Sequence, residues 1–227
     1  MTNGTTRTAL DADLVAVRDD ILRLGSLVYR ASQRALEAFS KNDTALAKQV
    51  ITGDDELDEL HHHVESMVAS TVARQGPMAT DLRRLLAALL IANELERMGD
   101  HAEGIAKTVV RYTGQGRPTV PPLLPQMLEH IKKMLYEAME AYVAEDAEKA
   151  AQVARMDDRV DDMYNSLFQL VVGEMHRGDL SVELGTYILW AGHGLERIGD
   201  RVTNICERVK YASTGIIDDL NTKDDAA

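Results

Sequence analysis

Apolar side chains recur every three or four positions along almost the whole of this 227-residue chain, with polar residues filling the gaps. Between Leu10 and Phe39, residues Leu14, Val17, Ile21, Leu24, Val28, Ala31, Ala35 and Ala38 line one side of a helix turning about 100° per residue, which predicts one long amphipathic helix. It ends at Lys41-Asn42-Asp43, where Asp43 or Thr44 can cap a second helix running through Val50, Leu57, Leu60, Val64, Val68 and Val72 to Gly76-Pro77. A third helix is expected from about Pro77 to Tyr112, its stripe formed by Leu82, Leu85, Leu86, Leu89, Ile91, Leu95 and Met98.

Thr113-Gly114-Gln115-Gly116-Arg117-Pro118 and Pro121-Pro122 then break any helix, and the plan restarts. Expected helices span Leu123 to Val143, Asp146 to His176, and Asp179 to Ser213. The fold class is therefore all-α: two tandem pseudo-repeated three-helix bundles, six long antiparallel helices in total, since single helices of this length cannot bury their stripes alone. The expected boundaries are 1–114 for the first repeat, 115–122 for a linker, 123–215 for the second repeat and 216–227 for an acidic, loose tail.

The repeat is visible in the letters. Glu96-Arg97-Met98-Gly99-Asp100-His101 and Glu196-Arg197-Ile198-Gly199-Asp200-Arg201 stand one hundred residues apart, each after a Leu. In each copy two carboxylates four residues apart share a helical face, about 6 Å apart along the axis. Asp54 and Asp58 on helix two, and Asp157 and Asp161 on helix five, repeat that spacing. On helix two, Asp54, Asp58, His61 and Glu65 fall about a quarter turn from the buried side. On helix three, Glu96, Asp100 and Glu103 lie nearly opposite the apolar direction, so this stripe is expected to face solvent or a neighbour outside its own three-helix layer.

Acidic pairs on an outer face are commonly just solvated surface. Like charges at this spacing nevertheless destabilise a helix slightly, and a mid-helix glycine costs about 1 kcal/mol, yet both survive in the two copies. This points to carboxylates that grip cations, with Gly99 and Gly199 making room either for the ions or for a neighbouring helix. Oxygen-only sites suit magnesium, manganese or iron, and zinc becomes possible if histidine joins. His61 to His63 and His101 are the histidine candidates. The second half carries Tyr164-Asn165-Ser166 where the first has the histidine triplet, so two of the three histidines read as exposed surface. Arg97 and Arg197 fit either orientation of the neighbouring carboxylates or ordinary surface ion pairs.

Composition narrows the function classes. Aromatic residues make up 4% and good helix formers abound, while the net charge of −12 leaves no general basic surface for nucleic acid. The longest apolar run, Leu85 to Ala92, is far short of the roughly 20 residues a bilayer span needs, so no membrane insertion is expected. The N-terminus lacks the blocks of a signal peptide and the single Cys206 allows no internal disulfide, which together suggest the cytoplasm. Cys206, between Ile205 and Val209, reads as a small packed residue.

Taken in order, Asp54-x-x-x-Asp58, Gln75-x-Pro77-x-x-x-Asp81-Leu82-Arg83, Glu96-Arg97-Met98-Gly99-Asp100-His101, Asp157-x-x-x-Asp161 and Glu196-Arg197-Ile198-Gly199-Asp200 with Asn204-Ile205 resemble the PhoU family of phosphate-signalling accessory proteins, from about Leu10 to Tyr211. The resemblance implies multinuclear metal clusters on the bundle surface, with Asp54, Asp58, Glu96 and Asp100 serving one and Asp157, Asp161, Glu196 and Asp200 the other. It also implies a non-enzymatic negative regulator that couples the phosphate ABC transporter to a membrane sensor histidine kinase. A homodimer is expected from the long helical faces. The chain departs from the family pattern at Arg201, where the family often has His; at Gly104, aligned with Asn204; and at Ser181, where the Arg of Asp81-Leu82-Arg83 is lost. Arg201 is expected to compete with a cation for the neighbouring carboxylate.

Two other readings remain. A carboxylate-bridged di-iron enzyme needs inward-pointing Glu-x-x-His on two helices, and Glu59-x-x-His62 is the single match. A metal-free helical scaffold would make the stripes plain solvated faces. No glycine-rich loop argues that the chain binds phosphate itself.

Overall fold

The computed structural model describes residues 3–112 and 119–220. The first repeat consists of α1 (Asn3–Lys41), α2 (Thr44–Gln75) and α3 (Thr80–Arg111). The second comprises α4 (Leu123–Ala144), α5 (Ala147–Ala154), α6 (Asp158–Arg177) and α7 (Val182–Thr214). The helices of each repeat pack on one another, and α3 lies along α7 as the seam between repeats, with α1 touching α4 beside it. This is the all-α plan of six long helices in two three-helix bundles, with α5 and α6 together filling the fifth place. Among the described residues no helix is long and apolar enough to cross a membrane.

The apolar stripes fill the core as their spacing requires: Val17, Ile21, Leu24 and Val28 of α1 are buried with Leu57, Leu60 and Val64 of α2 and Leu95, Met98 and Ile105 of α3. Local signals set the ends. Asp43 accepts hydrogen bonds from the amides of Ala45 and Leu46, and Asp146 does the same for Glu148 and Lys149, so each repeat caps its second helix with the same side chain in nearly the same backbone shape. The residue before each cap, Asn42 and Glu145, is left-handed with φ of 52° and 53°. Helix α2 stops at left-handed Gly76.

The expected helix from Asp146 to His176 is interrupted. Its hydrogen bonds tighten at residues 155–157, where Met156 N–H donates to Val153 and Asp157 N–H to Ala154, before α6 begins. His130 of α4 closes the break, its Nε2 lying 2.9 Å from the Met156 carbonyl oxygen as donor in the Nε2–H tautomer. Neither Gly nor Pro marks this break, and so the periodicity alone reads through it. The last helix starts at Val182 rather than Asp179, after Gly178 ends α6 and Ser181 caps α7. The tail expected to be loose is pinned at its start. Lys210 Nζ donates to Asp218 Oδ2 at 2.5 Å, and the Leu220 amide donates to Glu207 at 3.1 Å. Residues 113–118 of the expected linker region and 221–227 of the tail lie outside the described residues.

Candidate metal centre

In the first repeat Asp54 and Asp58 of α2 face Glu96, Asp100 and Glu103 of α3. One oxygen from each of Asp54, Asp100 and Glu103 lies within 4.8 Å of the others. The α3 stripe thus lies along α2 of its own bundle rather than against an outside layer, and it keeps the expected access to solvent, with Asp100 exposed and Glu96 and Glu103 half-buried. Burial pushes the Asp54 carboxyl up to about 7, with the charges of Glu103, Asp58, Asp100 and Glu96 adding to the rise. Burial also raises Glu96 and Asp100, helped by Asp100 on the former and by Asp58 and Glu103 on the latter. Four or five carboxylates here repel one another at neutral pH, and Lys107, bonded to Glu103, neutralises only part of that charge.

The second repeat gathers Asp157, Asp161 and Asp200 in the same way, again with oxygens within 4.8 Å. Asp157 sits at the break before α6 and is only 4% exposed. Neither of its buried carboxylate oxygens has a hydrogen-bond partner of normal geometry. Burial lifts its carboxyl to about 7, reinforced by Asp200 and Asp161 and opposed by the neighbouring Thr203 hydroxyl. A buried, unsatisfied carboxylate beside two others is costly by itself and is relieved by a cation, so this donor set fits a hard ion. Glu196 stands apart from that group of three, contacted by His193 Nδ1 at 3.2 Å and Arg197 Nε at 3.1 Å. Arg197 also reaches Asp200 Oδ2 at 3.0 Å.

The repeated glycines make room for a neighbouring helix, the second of their two expected causes. A Cβ on Gly99 would stand 2.7 Å from Leu57 Cδ1 and 3.2 Å from Asp54 Oδ1; on Gly199 it would stand 2.7 Å from Asp157 Oδ1 and 3.3 Å from Val160 Cγ1. Each glycine lets the facing carboxylate and its neighbouring core residue close against the helix that carries Glu-Arg-x-Gly-Asp.

Several side chains go elsewhere than expected. Arg201 does not compete for the second cluster; its Nη1 donates to Glu94 Oε2 across the seam at 3.2 Å, and Asn204 Nδ2 joins at 3.0 Å. The guanidinium at the second cluster is that of Arg197. His101, beside Asp100 in sequence, turns toward α7, where burial and Arg201, His193, Arg97 and Arg197 lower its pKa to about 4 and keep it neutral. Cys206 is fully buried, and burial holds its thiol up at about 12. Glu59 and His62 are both exposed, so the inward Glu-x-x-His of a di-iron enzyme is not formed. Glu103 is the cluster residue missing from the expected set of eight. It lay on the recognised stripe, but its partner in the second copy is Thr203, and matching the copies hid it.

The fold and these clusters define a class: tandem three-helix bundles that present a carboxylate cluster on the same helix pair in each half. The PhoU domain model matches residues 21–109 and 124–209, one match per repeat. The chain belongs to the PhoU family. It is 35% identical over 217 residues to a phosphate-specific transport system accessory protein PhoU homolog of Clostridium acetobutylicum, covering 95% of this chain and 99% of that one. The Zymomonas mobilis homolog is 36% identical over 212 residues, covering 93% and 90%. Among solved structures, the phosphate transport system regulatory protein PhoU from Streptococcus pneumoniae superposes with a TM-score of 0.86 at 31% identity, covering 92% of this chain and 99% of that one. PhoU from Pseudomonas aeruginosa gives 0.82 at 30%, covering 91% and 99%.

Proposed function

We propose that this protein is a metal-binding, non-enzymatic regulator of phosphate uptake and phosphate-starvation signalling. It acts by docking to a membrane sensor histidine kinase and to the phosphate ABC transporter, from the cytoplasmic side and as a homodimer. The reading rests on one observation above others: both halves match the same family, and both gather carboxylates from the second and third helical arms. Asp54, Asp58, Glu96 and Asp100, with Glu103, would hold one group of ions. Asp157, Asp161 and Asp200, with Glu196, would hold the other. Bound ions would supply positive charge to an otherwise acidic face, making it a surface that phosphate-signalling partners meet only when it is loaded. Iron, manganese or magnesium suits all-oxygen donors, and zinc is the borderline case.

The test has two arms. Untagged protein isolated without chelators should lose metal by elemental analysis when Glu96 and Asp100 are both changed to Ala, while its circular dichroism stays helical; unchanged metal content would end the metal assignment. Deleting the gene in its host should leave phosphate-starvation genes on in phosphate-rich medium. Continued repression there would end the regulatory assignment.

One observation favours a lesser role for the second site. Arg197 already spans Glu196 and Asp200, so this half can rest with a guanidinium where the first half needs an ion. Metal content per chain in Asp157→Asn protein separates the two.

A further inference from the structure

The histidines of α2 are not used by the carboxylate clusters, and the structure divides the triplet. His63 turns toward Asp20 of α1, its Nε2 3.6 Å from Oδ2. His61 and His62 go the other way, with ring centroids 5.6 Å apart and planes inclined by 46°. At about 100° per residue, Glu65 falls about 40° around the helix from His61 and His62 about 100° from it, so the carboxylate projects between the two imidazoles. One donor atom from each of His61, His62 and Glu65 lies within 4.8 Å of the other two. Three ligands at about 2.0–2.2 Å from one ion need donor atoms roughly 3–3.5 Å apart. His62 and Glu65 are exposed, so rotation of those two side chains closes the difference without moving the backbone. Partly buried His61 is the fixed point, close enough to Glu96 of α3 for their charges to interact.

We propose that His61, His62 and Glu65 form a separate site for a borderline divalent ion of the zinc type, with three protein ligands and a position left for water. The donor set chooses the ion. Two imidazole nitrogens and one carboxylate suit Zn²⁺, whereas Mg²⁺ and Ca²⁺ prefer oxygen throughout. The site belongs to the first half alone: Tyr164, Asn165 and Phe168 hold the aligned positions, and Tyr164 packs against His193 at 6.0 Å between rings. It does not depend on the carboxylate clusters being filled. An ion there adds positive charge beside Glu96 and so ties the first cluster, but not the second, to zinc supply.

The experiment uses full-length, untagged, metal-stripped protein titrated with Co²⁺ as a visible stand-in and with Zn²⁺ by calorimetry. The native chain should develop the intense d–d absorption of four-coordinate Co²⁺, at one equivalent, and Zn²⁺ should bleach it. His62→Ala and Glu65→Gln, both at exposed positions that leave the fold intact, should weaken that binding at least by the roughly 10–100-fold that losing even a supporting group costs. Asp54→Asn with Asp100→Asn should keep the band while losing the first carboxylate cluster. A band that survives His62→Ala and Glu65→Gln, or that vanishes with Asp54→Asn and Asp100→Asn, overturns the proposal. So does Zn²⁺ binding confined to millimolar concentrations, which marks adventitious capture by exposed histidines.

Discussion

Asp157 concentrates the chemistry of this protein in one side chain: buried, with no well-formed hydrogen bond to either oxygen beyond the neighbouring Thr203 hydroxyl, and surrounded by like charge. Its folded carboxyl is held near 7, as is that of Asp54, above the ordinary value of 3.8. The folded state therefore binds more protons than the unfolded one between these values. In metal-free protein these two groups cost stability that grows as pH rises from about 4 through 7 and is complete above it. The chelated protein should thus melt at a lower temperature at about pH 8 than at about pH 5. Asp157→Asn should flatten part of that slope and raise the melting temperature of chelated protein at pH 8. A melting temperature for chelated Asp157→Asn below that of the native chain would contradict the account. Metal-loaded protein should show the opposite trend, because ligation requires the ionised carboxylates. Gly199→Ala tests the same spot by volume. Alanine is intrinsically better in a helix by about 1 kcal/mol, yet its Cβ would meet Asp157 Oδ1 at 2.7 Å. Overpacking of this kind costs about 1–3 kcal/mol, so urea denaturation should show net destabilisation together with loss of metal from the second site.

At the scale of elements, the two repeats keep the same cap and differ at the break. Asp43→Ala and Asp146→Ala should each cost about 1 kcal/mol, since each removes a side chain serving two amides at a helix start. His130→Ala should cost about 0.5–1.5 kcal/mol, the net value of the hydrogen bond it makes to Met156, and it frees the turn that aims Asp157 inward. Elemental analysis should find metal lost from the second cluster and kept in the first. Equal losses from both would show that His130 does not act through this turn. The helices and their caps were legible in the sequence because spacing and capping are local. The break at residues 155–157 was not, because the residue that stabilises it comes from α4 and carries no local mark.

Across the whole molecule, the seam between α3 and α7 joins the halves. Glu94 receives Arg201 and Asn204 from the other repeat, and at the mirrored place Gly194 admits Ile105, whose Cγ1 would lie 2.9 Å from a Cβ there. The departure from the family pattern at Arg201 thus acts together with the motif residue Asn204 on one carboxylate. Glu94→Ala should destabilise by about 1–3 kcal/mol, because it leaves the partly buried Arg201 without its partner. A double-mutant cycle with Arg201→Ala in urea should return coupling of at least about 0.5 kcal/mol; additive effects would show that the contact carries no weight.

The sequence by itself determined the helices, their duplication and the residue types available to each cluster, because hydrophobic period and motif spacing are properties of the chain read along its length. Only the tertiary structure decided which carboxylates meet, since Asp54 with Glu103 and Asp157 with Asp200 are joined by helix packing and not by spacing. It also sent Arg201 across the seam to Glu94, a choice that the residues of one motif cannot make alone, whereas Arg197 reaches Asp200 by the three-residue spacing of its own helix. Which face a charged side chain serves depends on what packs against it, and that information is carried by the partner helix.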